Sequence, residues 1–433
     1  MTDSLIQKIN DRSAKICVLG LGYIGLPTAA MFATNGSEVL GVDINEDIIH
    51  TLKNGELPIQ EPGLKTVVQA AFKSGNLQVS CNVEPADVFI IAVPTPITKD
   101  KKADLKYVSS ATESILPHLA EANLVILEST SPPQTTLDVV QPLLEESGLK
   151  AGADFLLAYS PERVLPGKIL KELVDNSRVI GGINSASADA GKELYASFVE
   201  GEIVLTDTTT AEMVKLMENT FRDVNIALAN EFSRLGEHFS INIWEAIEIA
   251  NRHPRVDILK PGPGVGGHCI SVDPWFLVEG APDLTPLIQQ SREVNDTQPD
   301  FVVEILAGEL GELAGKRIAV LGLAYKPDVD DIRESPALAI IQILQSAGSI
   351  VNAYDPYIQQ ADGFNGIITE SLEDAILAVD CILLLVDHNQ FRNLDISQIA
   401  SLVRNKVILD TRNLLDQEAW LAEGFEISLL GRK

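Results

Sequence analysis

Along the first 200 or so residues, short apolar runs alternate with stretches of helical periodicity. The runs Lys15–Gly20, Glu38–Asp43, Val88–Val93, Leu124–Glu128, Phe155–Tyr159 and Arg178–Gly181 are too short for helices and mostly apolar, which predicts buried strands. Separated by helical stretches, they predict a doubly wound α/β domain with a parallel sheet. From about Thr206 the pattern changes to helix. Met213, Leu216, Met217, Phe221, Val224, Leu228 and Leu235 recur at helical spacing behind Thr209–Glu212, a segment with capping-box spacing. Lys215, Asn219 and Arg222 fall on the face opposite that apolar row, by default a solvated face. Helical sequence runs to about Asn251, a Pro/Gly-rich stretch follows to Pro274, and α/β alternation resumes after about residue 300. Its strands are expected at Arg317–Leu323, Ile350–Tyr354, Cys381–Val386 and Val407–Asp410. The expected architecture is α/β domain, helical middle, α/β domain.

A chain of 433 residues is too long for one core, in keeping with that division. Lys+Arg number 33 against 61 Asp+Glu, a net charge of −28. So acidic a protein repels phosphates as a whole, which argues against nucleic acid or an anionic membrane as partner. An anionic ligand must be held by local cations and backbone N–H groups. The cysteines, Cys17, Cys81, Cys269 and Cys381, lie far apart with no CxxC and no metal-type cluster, the usage of a reduced, cytoplasmic protein without a metal. The uncharged segment 16–33 could pass for a signal peptide, but its glycines and Pro27 make a poor apolar core and Asp3 and Asp11 precede it.

Gly20-Leu-Gly22-Tyr-Ile-Gly25 follows a predicted strand and opens a predicted helix, and the next strand ends in Asp43. Glycines there permit a tight turn and close approach of a pyrophosphate to a helix N-terminus, while Asp43 would take the ribose hydroxyls of NAD. A faint echo, RIAVLGLAYKPD at 317–328 against KICVLGLGYIGLP at 15–27, suggests two related halves. The second copy has Ala324 in place of Gly22 and gains Lys326, so it is expected to take a different phosphorylated ligand. Cys269 lies in a glycine-rich stretch, Gly262–Pro274, four residues before Asp273, where a thiolate could act as nucleophile. Cys17 and Cys381 read as core residues. Asn251–Arg255 and Tyr325–Lys326 with Arg333 concentrate cations and are candidate phosphate or carboxylate clamps.

These segments, in this order, resemble the UDP-glucose/GDP-mannose dehydrogenase family over nearly the whole chain. The matching stretches are LGLGYIGLPTAA at 19–30, AVPTP at 92–96, ESTSP at 128–132, SPERVLPG at 160–167 and AEMVKLMENTFRDVNIALANE at 211–231. NRHPRV at 251–256, PGPGVGGHCISVDPWF at 261–276 and KPDVDDIRESPA at 326–337 complete the series. HPRV, GVGGHC and DPWF are most similar to the UDP-N-acetyl-D-mannosamine branch. The resemblance implies two Rossmann-like domains, NAD-binding 1–205 and UDP-sugar-binding 301–433, joined by a helical dimerisation domain, 206–300. It implies oxidation of a nucleotide sugar at C6 to the uronate, for polysaccharide biosynthesis, with two NAD reduced per sugar. UDP-N-acetylglucosamine, UDP-glucose and GDP-mannose stay open as substrates. Cys269 would trap the aldehyde as a thiohemiacetal, later a thioester. Lys215 and Asn219 would stabilise the oxyanion, Asp273 would orient water, Glu162 would serve thioester hydrolysis, and Thr130 would position water and cofactor. The resemblance puts NAD on Tyr23, Ile24, Asp43, Thr95 and Thr130. It puts the sugar nucleotide on Arg163, Val164, Lys215, Asn219, Arg222, His253, Arg255, Gly266, Tyr325, Lys326 and Arg333, and implies a homodimer built on the long middle helix. Relatives often carry a basic residue where this chain has Ile48.

Overall fold

The computed structural model describes residues 2–59, 61–360 and 366–433. Packing groups the chain into two compact units, Met1–Glu218 with Trp275–Pro282, and Asn219–Pro274 with Asp283–Lys433. The first is built on strands β1 (Lys15–Leu19), β2 (Glu38–Val42), β3 (Leu77–Ser80), β4 (Val88–Ile91), β5 (Leu124–Leu127), β6 (Leu156–Tyr159), β7 (Arg178–Gly182) and β8 (Ile203–Asp207). They form one sheet in the order β3-β2-β1-β4-β5-β6-β7-β8. The second holds β9 (Arg317–Leu321), β10 (Ile350–Tyr354), β11 (Ile367–Ile368), β12 (Cys381–Leu384), β13 (Val407–Asp410) and β14 (Glu426–Leu429), ordered β11-β10-β9-β12-β13-β14. In both orders the first strand lies between the second and a later one, which opens a crevice at its carboxyl end.

The sheets are sandwiched because their strands are apolar on both faces. In β1, Ile16 and Val18 join one buried cluster, while Cys17 and Leu19 join another. In the second unit, Ile318 and Val320 face one core, and Ala319 and Leu321 face the other. Period-two alternation between two apolar layers is what a parallel sheet covered by helices demands. The segment that could pass for a signal peptide is β1 and the helix Gly25–Thr34. No helix among the described residues is long and apolar enough to cross a membrane.

The structure corrects the sequence reading at several points. Strand β7 runs antiparallel to β6, with Tyr159 opposite Gly181 and Ala158 opposite Gly182, so the sheet is not wholly parallel. Strands β3, β8, β11 and β14, absent from the sequence reading, all lie at or near a sheet edge, where half-exposed strands lack a continuous apolar run. The segment 209–212 is not a capping box. Asp207 caps the helix Thr208–Phe239 by accepting from Thr210 N and Oγ1 at 2.8 and 2.6 Å. Glu212 instead turns away and accepts from Gln134 N, Thr136 N and Thr136 Oγ1 at 2.6–2.8 Å. Burial pushes the Glu212 carboxyl up to about 7.

The faces of that long helix are also reversed from the default expectation. Lys215 and Asn219 are each only 8% exposed, whereas Met217 is 56% and Phe221 68% exposed, with Met213, Leu228 and Leu235 exposed too. Arg222 does lie exposed. Within the single chain the helix thus buries Lys215 and Asn219 and leaves most of its apolar row exposed, though Leu216 is buried and Val224 half-buried.

Candidate functional site

In the first unit the site grows from the β1 turn. Gly20 takes φ +96°, and a Cβ on it would stand 2.5 Å from Ala92 O; a Cβ on Gly25 would stand 1.8 Å from Gly20 O. Both glycines are required by packing alone. Gly22 faces open space, nothing lying within 4 Å of where its Cβ would be. The helix Gly25–Thr34 that follows has no side-chain cap at Ile24, although Leu26 N donates to Gly22 O at 3.2 Å. Asp43, at the end of β2, is half-buried, accepts from Leu21 N at 2.8 Å through Oδ2 and from Asn45 N at 2.9 Å through Oδ1. Those bonds aim the carboxylate along the turn. Tyr23 packs partly against the core below. Thr95, in the loop after β4, has a buried hydroxyl oxygen without a partner among the described residues. An open glycine, an uncapped helix, an oriented acid and an orphan hydroxyl fit a dinucleotide. Ile48, where relatives often have a cation, packs against a small apolar cluster under the turn. Thr130 is half-buried beyond β5, in a turn that Ser129 ties to the end of β4 and the loop after it by donating to Ile91 O at 3.2 Å and Val93 O at 2.7 Å.

The SPERVLPG loop follows β6. Glu162 Oε1 accepts from Arg163 N at 2.6 Å and Oε2 accepts from Arg178 Nη1 at 2.9 Å. Arg163 forks onto Glu218 of the long helix, Nε donating at 3.0 Å and Nη2 to the other oxygen, and Nη1 donates to Ser177 O. Its guanidinium therefore holds the loop to the helix. Val164 packs on the core. Lys215, one turn before Glu218, is buried yet pairs with no carboxylate among the described residues. Burying a lysine side chain without such a partner is costly, which makes Lys215 a candidate site residue.

In the second unit, Asn219 Nδ2 donates to Asp273 Oδ2 at 2.5 Å, both residues buried, and Asp273 N donates to Cys269 O at 2.8 Å. Of the four cysteines only Cys269 is exposed; burial pushes the Cys17 thiol up to about 12 and raises Cys381 too. Tyr325 lies against the glycine loop so closely that a Cβ on Gly266 would come within 2.7 Å of Tyr325 Cβ, and one on Gly267 within 2.8 Å of its ring. Gly267 N donates to Arg333 O at 2.9 Å, and the Arg333 guanidinium forks onto Asp331 at 2.8 and 2.6 Å. Lys326, next to Tyr325, is half-buried. The structure thus joins Asn219, Asp273, Cys269, Gly266, Tyr325 and Arg333 in one unit. His253 and Arg255 stand exposed in a separate loop, where Asn251 accepts from Ile258 N at 2.7 Å and donates to Ile258 O at 2.9 Å.

Sequence reading passed over the residues that hold these groups. Arg178 read as the start of a strand. Asn230, on the long helix, accepts from Gly262 N at 2.9 Å, and Gln298 donates to Gly262 O at 3.2 Å, so two buried amides pin the start of the Cys269 loop. Amides on helices carry no spacing signal of their own.

Comparison with known proteins agrees with this geometry. Residues 14–199 match the NAD binding domain of the UDP-glucose/GDP-mannose dehydrogenase family, 209–297 its central domain and 319–417 its UDP binding domain. The UDP-N-acetyl-D-mannosamine dehydrogenase of Methanocaldococcus jannaschii is 51% identical over 428 residues, covering 98% of this chain and 97% of that protein. That of Methanococcus maripaludis is 50% identical over 426 residues, covering 96% and 97%. The solved structure of a UDP-D-ManNAc dehydrogenase from Pyrococcus horikoshii superposes with a TM-score of 0.91 at 43% identity, covering 96% of this chain and 99% of that one. With its turn, its acid and its paired sheets accounted for in this way, the chain belongs to the UDP-glucose/GDP-mannose dehydrogenase family and carries that family's NAD binding domain.

Proposed function

We propose that this protein oxidises UDP-N-acetyl-D-mannosamine at C6 to UDP-N-acetyl-D-mannosaminuronate, with NAD as oxidant. The observation that carries the reading is Cys269, the one exposed cysteine, set beside an Asp273 held by Asn219. NAD would be held at Gly20, Gly22, Tyr23, Ile24, Gly25, Asp43, Thr95 and Thr130, and when bound supplies a hydride acceptor for each of two oxidations. The chain's own groups do the rest. Lys215 and Asn219 stabilise the charge that grows on the substrate oxygen, and Lys215 assists proton movement. Cys269 Sγ attacks the C6 aldehyde, which retains it and leaves a carbon that can lose a second hydride. The thioester is released by water, oriented by Asp273 and deprotonated by Glu162. Arg163, Val164, Arg222, His253, Arg255, Gly266, Tyr325, Lys326 and Arg333 are assigned to the sugar nucleotide. By role the chain divides at 1–205, 206–300 and 301–433. The bare apolar row of the long helix supports a homodimer formed through the middle segment.

Counting NADH formed per sugar consumed tests the reaction. Two NADH with UDP-N-acetyl-D-mannosamine and none with UDP-N-acetylglucosamine, UDP-glucose or GDP-mannose is expected. Two with another of these sugars would move the substrate, and one would remove Cys269 from its role. Phe221→Glu, on the exposed row, is expected to halve the mass in sedimentation; an unchanged mass would remove the dimer from this face.

A further inference from the structure

Behind Glu162 lies a cluster that the reaction as assigned does not use. Arg178, Glu128 and Tyr195 are buried, at most 4% exposed, and Ser160 with them. Arg178 Nε donates to Ser160 Oγ at 2.8 Å, Nη1 to Glu162 Oε2 at 2.9 Å and Nη2 to Glu128 Oε1. Its guanidinium stacks 3.7 Å from the centre of the Tyr195 ring, and Tyr195 OH donates to the same Glu128 oxygen at 3.0 Å. Glu128 Oε2 has no hydrogen-bond partner among the described residues. One guanidinium therefore serves two carboxylates. Burial, with the nearby Glu162 charge adding to it against the pull of Arg178, pushes Glu128 up to about 7.

The antiparallel course of β7 is what creates this arrangement. With Tyr159 opposite Gly181 and Ala158 opposite Gly182, continuing the register beyond β6 brings Arg178 level with Glu162. Glu128 follows β5, the next strand in the sheet, at the same carboxyl edge. A parallel β7 would start at the far edge of the sheet and carry Arg178 away from both acids. A buried ion cluster is seldom the most stable filling for a core, since well-packed apolar side chains of like volume do as well or better. Its cost here falls directly behind Glu162.

We propose that Arg178, braced by Glu128 and Tyr195, is a positioning residue for Glu162 in release of the acyl group from Cys269. The inference rests on the role assigned to Glu162 above. In that step the water oxygen bonds to the acyl carbon, the carbon–sulfur bond breaks, Cys269 leaves as thiolate, and the water proton passes to Glu162. Arg163 N and Arg178 Nη1 each occupy one lone pair of the carboxylate, leaving it oriented and with lone pairs to spare. Without Arg178 the carboxylate would be free to turn about its last bond, which would misplace the base.

The test compares Arg178→Ala, Arg178→Lys, Glu128→Gln and Glu162→Gln with the wild type, using UDP-N-acetyl-D-mannosamine and NAD. Arg178→Ala is expected to keep a burst of two NADH per subunit, then turn over about a hundredfold more slowly, with the thioester on Cys269 visible by intact mass. Arg178→Lys should recover part of the steady rate, and Glu128→Gln should lose about tenfold. Should the alanine variant fail to fold, the lysine and glutamine variants carry the test. Wild-type turnover in these variants, or slow turnover from folded protein with no acyl-enzyme, would overturn the brace. If Glu162→Gln traps the thioester and the Arg178 variants do not, the brace alone is wrong. If Glu162→Gln traps none, the role of Glu162 falls and the brace with it.

Discussion

The two units repeat one device and use it differently. In each, the glycine after the first strand donates to the end of the neighbouring strand, Gly20 N to Val42 O and Gly322 N to Tyr354 O, both at 2.8 Å. In each, the acid after that neighbour accepts from the turn, Asp43 from Leu21 N at 2.8 Å and Asp355 from Leu323 N at 2.7 Å. There the likeness ends. Asp43 is half-buried beside Ile44, which is 84% exposed, opposite an open Gly22 and an uncapped helix. Asp355 also takes Ala324 N and Tyr357 N and meets His388 Nε2 at 3.0 Å, with His388 wholly buried. The next helix in that unit, Pro336–Ser346, is capped by Ser335. An acid that in the first unit is left able to meet a ribose has in the second become an internal strut. Ligand competence is thus a property of what remains unsatisfied at the turn rather than of the fold that supplies it.

Glycine substitutions break the comparison most severely. Gly25→Ala puts a Cβ 1.8 Å from a carbonyl oxygen that cannot give way, and the first unit is expected to fail to fold or to unfold without cooperativity. Gly22→Ala meets nothing, so it should keep its melting temperature and lose NAD affinity. Thermal unfolding beside an NAD titration separates the two, and a stable Gly25→Ala would show that the turn can relax. The acids come next. Asp355→Ala strands several buried donors and is expected to cost about 2–4 kcal/mol with the KM for NAD unchanged. Asp43→Ala should raise that KM about tenfold, a loss of about 1.4 kcal/mol in binding, with little change in unfolding. Equal stability losses from the two would erase the distinction drawn here.

How much of this the sequence disclosed follows from where each signal resides. Central strands such as β1, β4 and β5 are apolar on both faces, so composition alone exposes them. The edge strand β8 reads as half-exposed and has no such mark. The glycine turn and Asp43 were legible because an NAD binding domain, matched at residues 14–199, carries glycines and an acid at recognisable spacing after its first two strands. The polarity of the long helix misled because Lys215 and Asn219 are buried against the ordinary preference for packing apolar residues inward. Neither the reversal of β7 nor the pairing of Arg178 with Glu128 and Glu162 could be read, since both depend on which edge of a sheet a strand enters.

The smallest expected effect lies in how stability depends on pH, and it differs in sign between one acid of each unit, Asp355 and Glu128. Burial alone would raise the Asp355 carboxyl, but the His388 hydrogen bond and charge and the N–H groups of Leu323 and Tyr357 outweigh it and hold the group below its usual value of 3.8. A group lowered on folding contributes stability that is whole above its unfolded pKa and is lost as pH falls through the folded one. Glu128 is the reverse. Raised from 4.5 to about 7, it contributes stability that is whole below about pH 4.5 and is lost as pH rises to 7. Denaturant unfolding of Asp355→Asn should therefore lack part of the wild type's decline in acid below about pH 4. Glu128→Gln should instead flatten the wild type's decline between about pH 4.5 and 7, leaving the acid limb alone. Were Glu128→Gln to change nothing in that window, folding would not raise the Glu128 carboxyl, and the pull of Arg178 would match the cost of burying it.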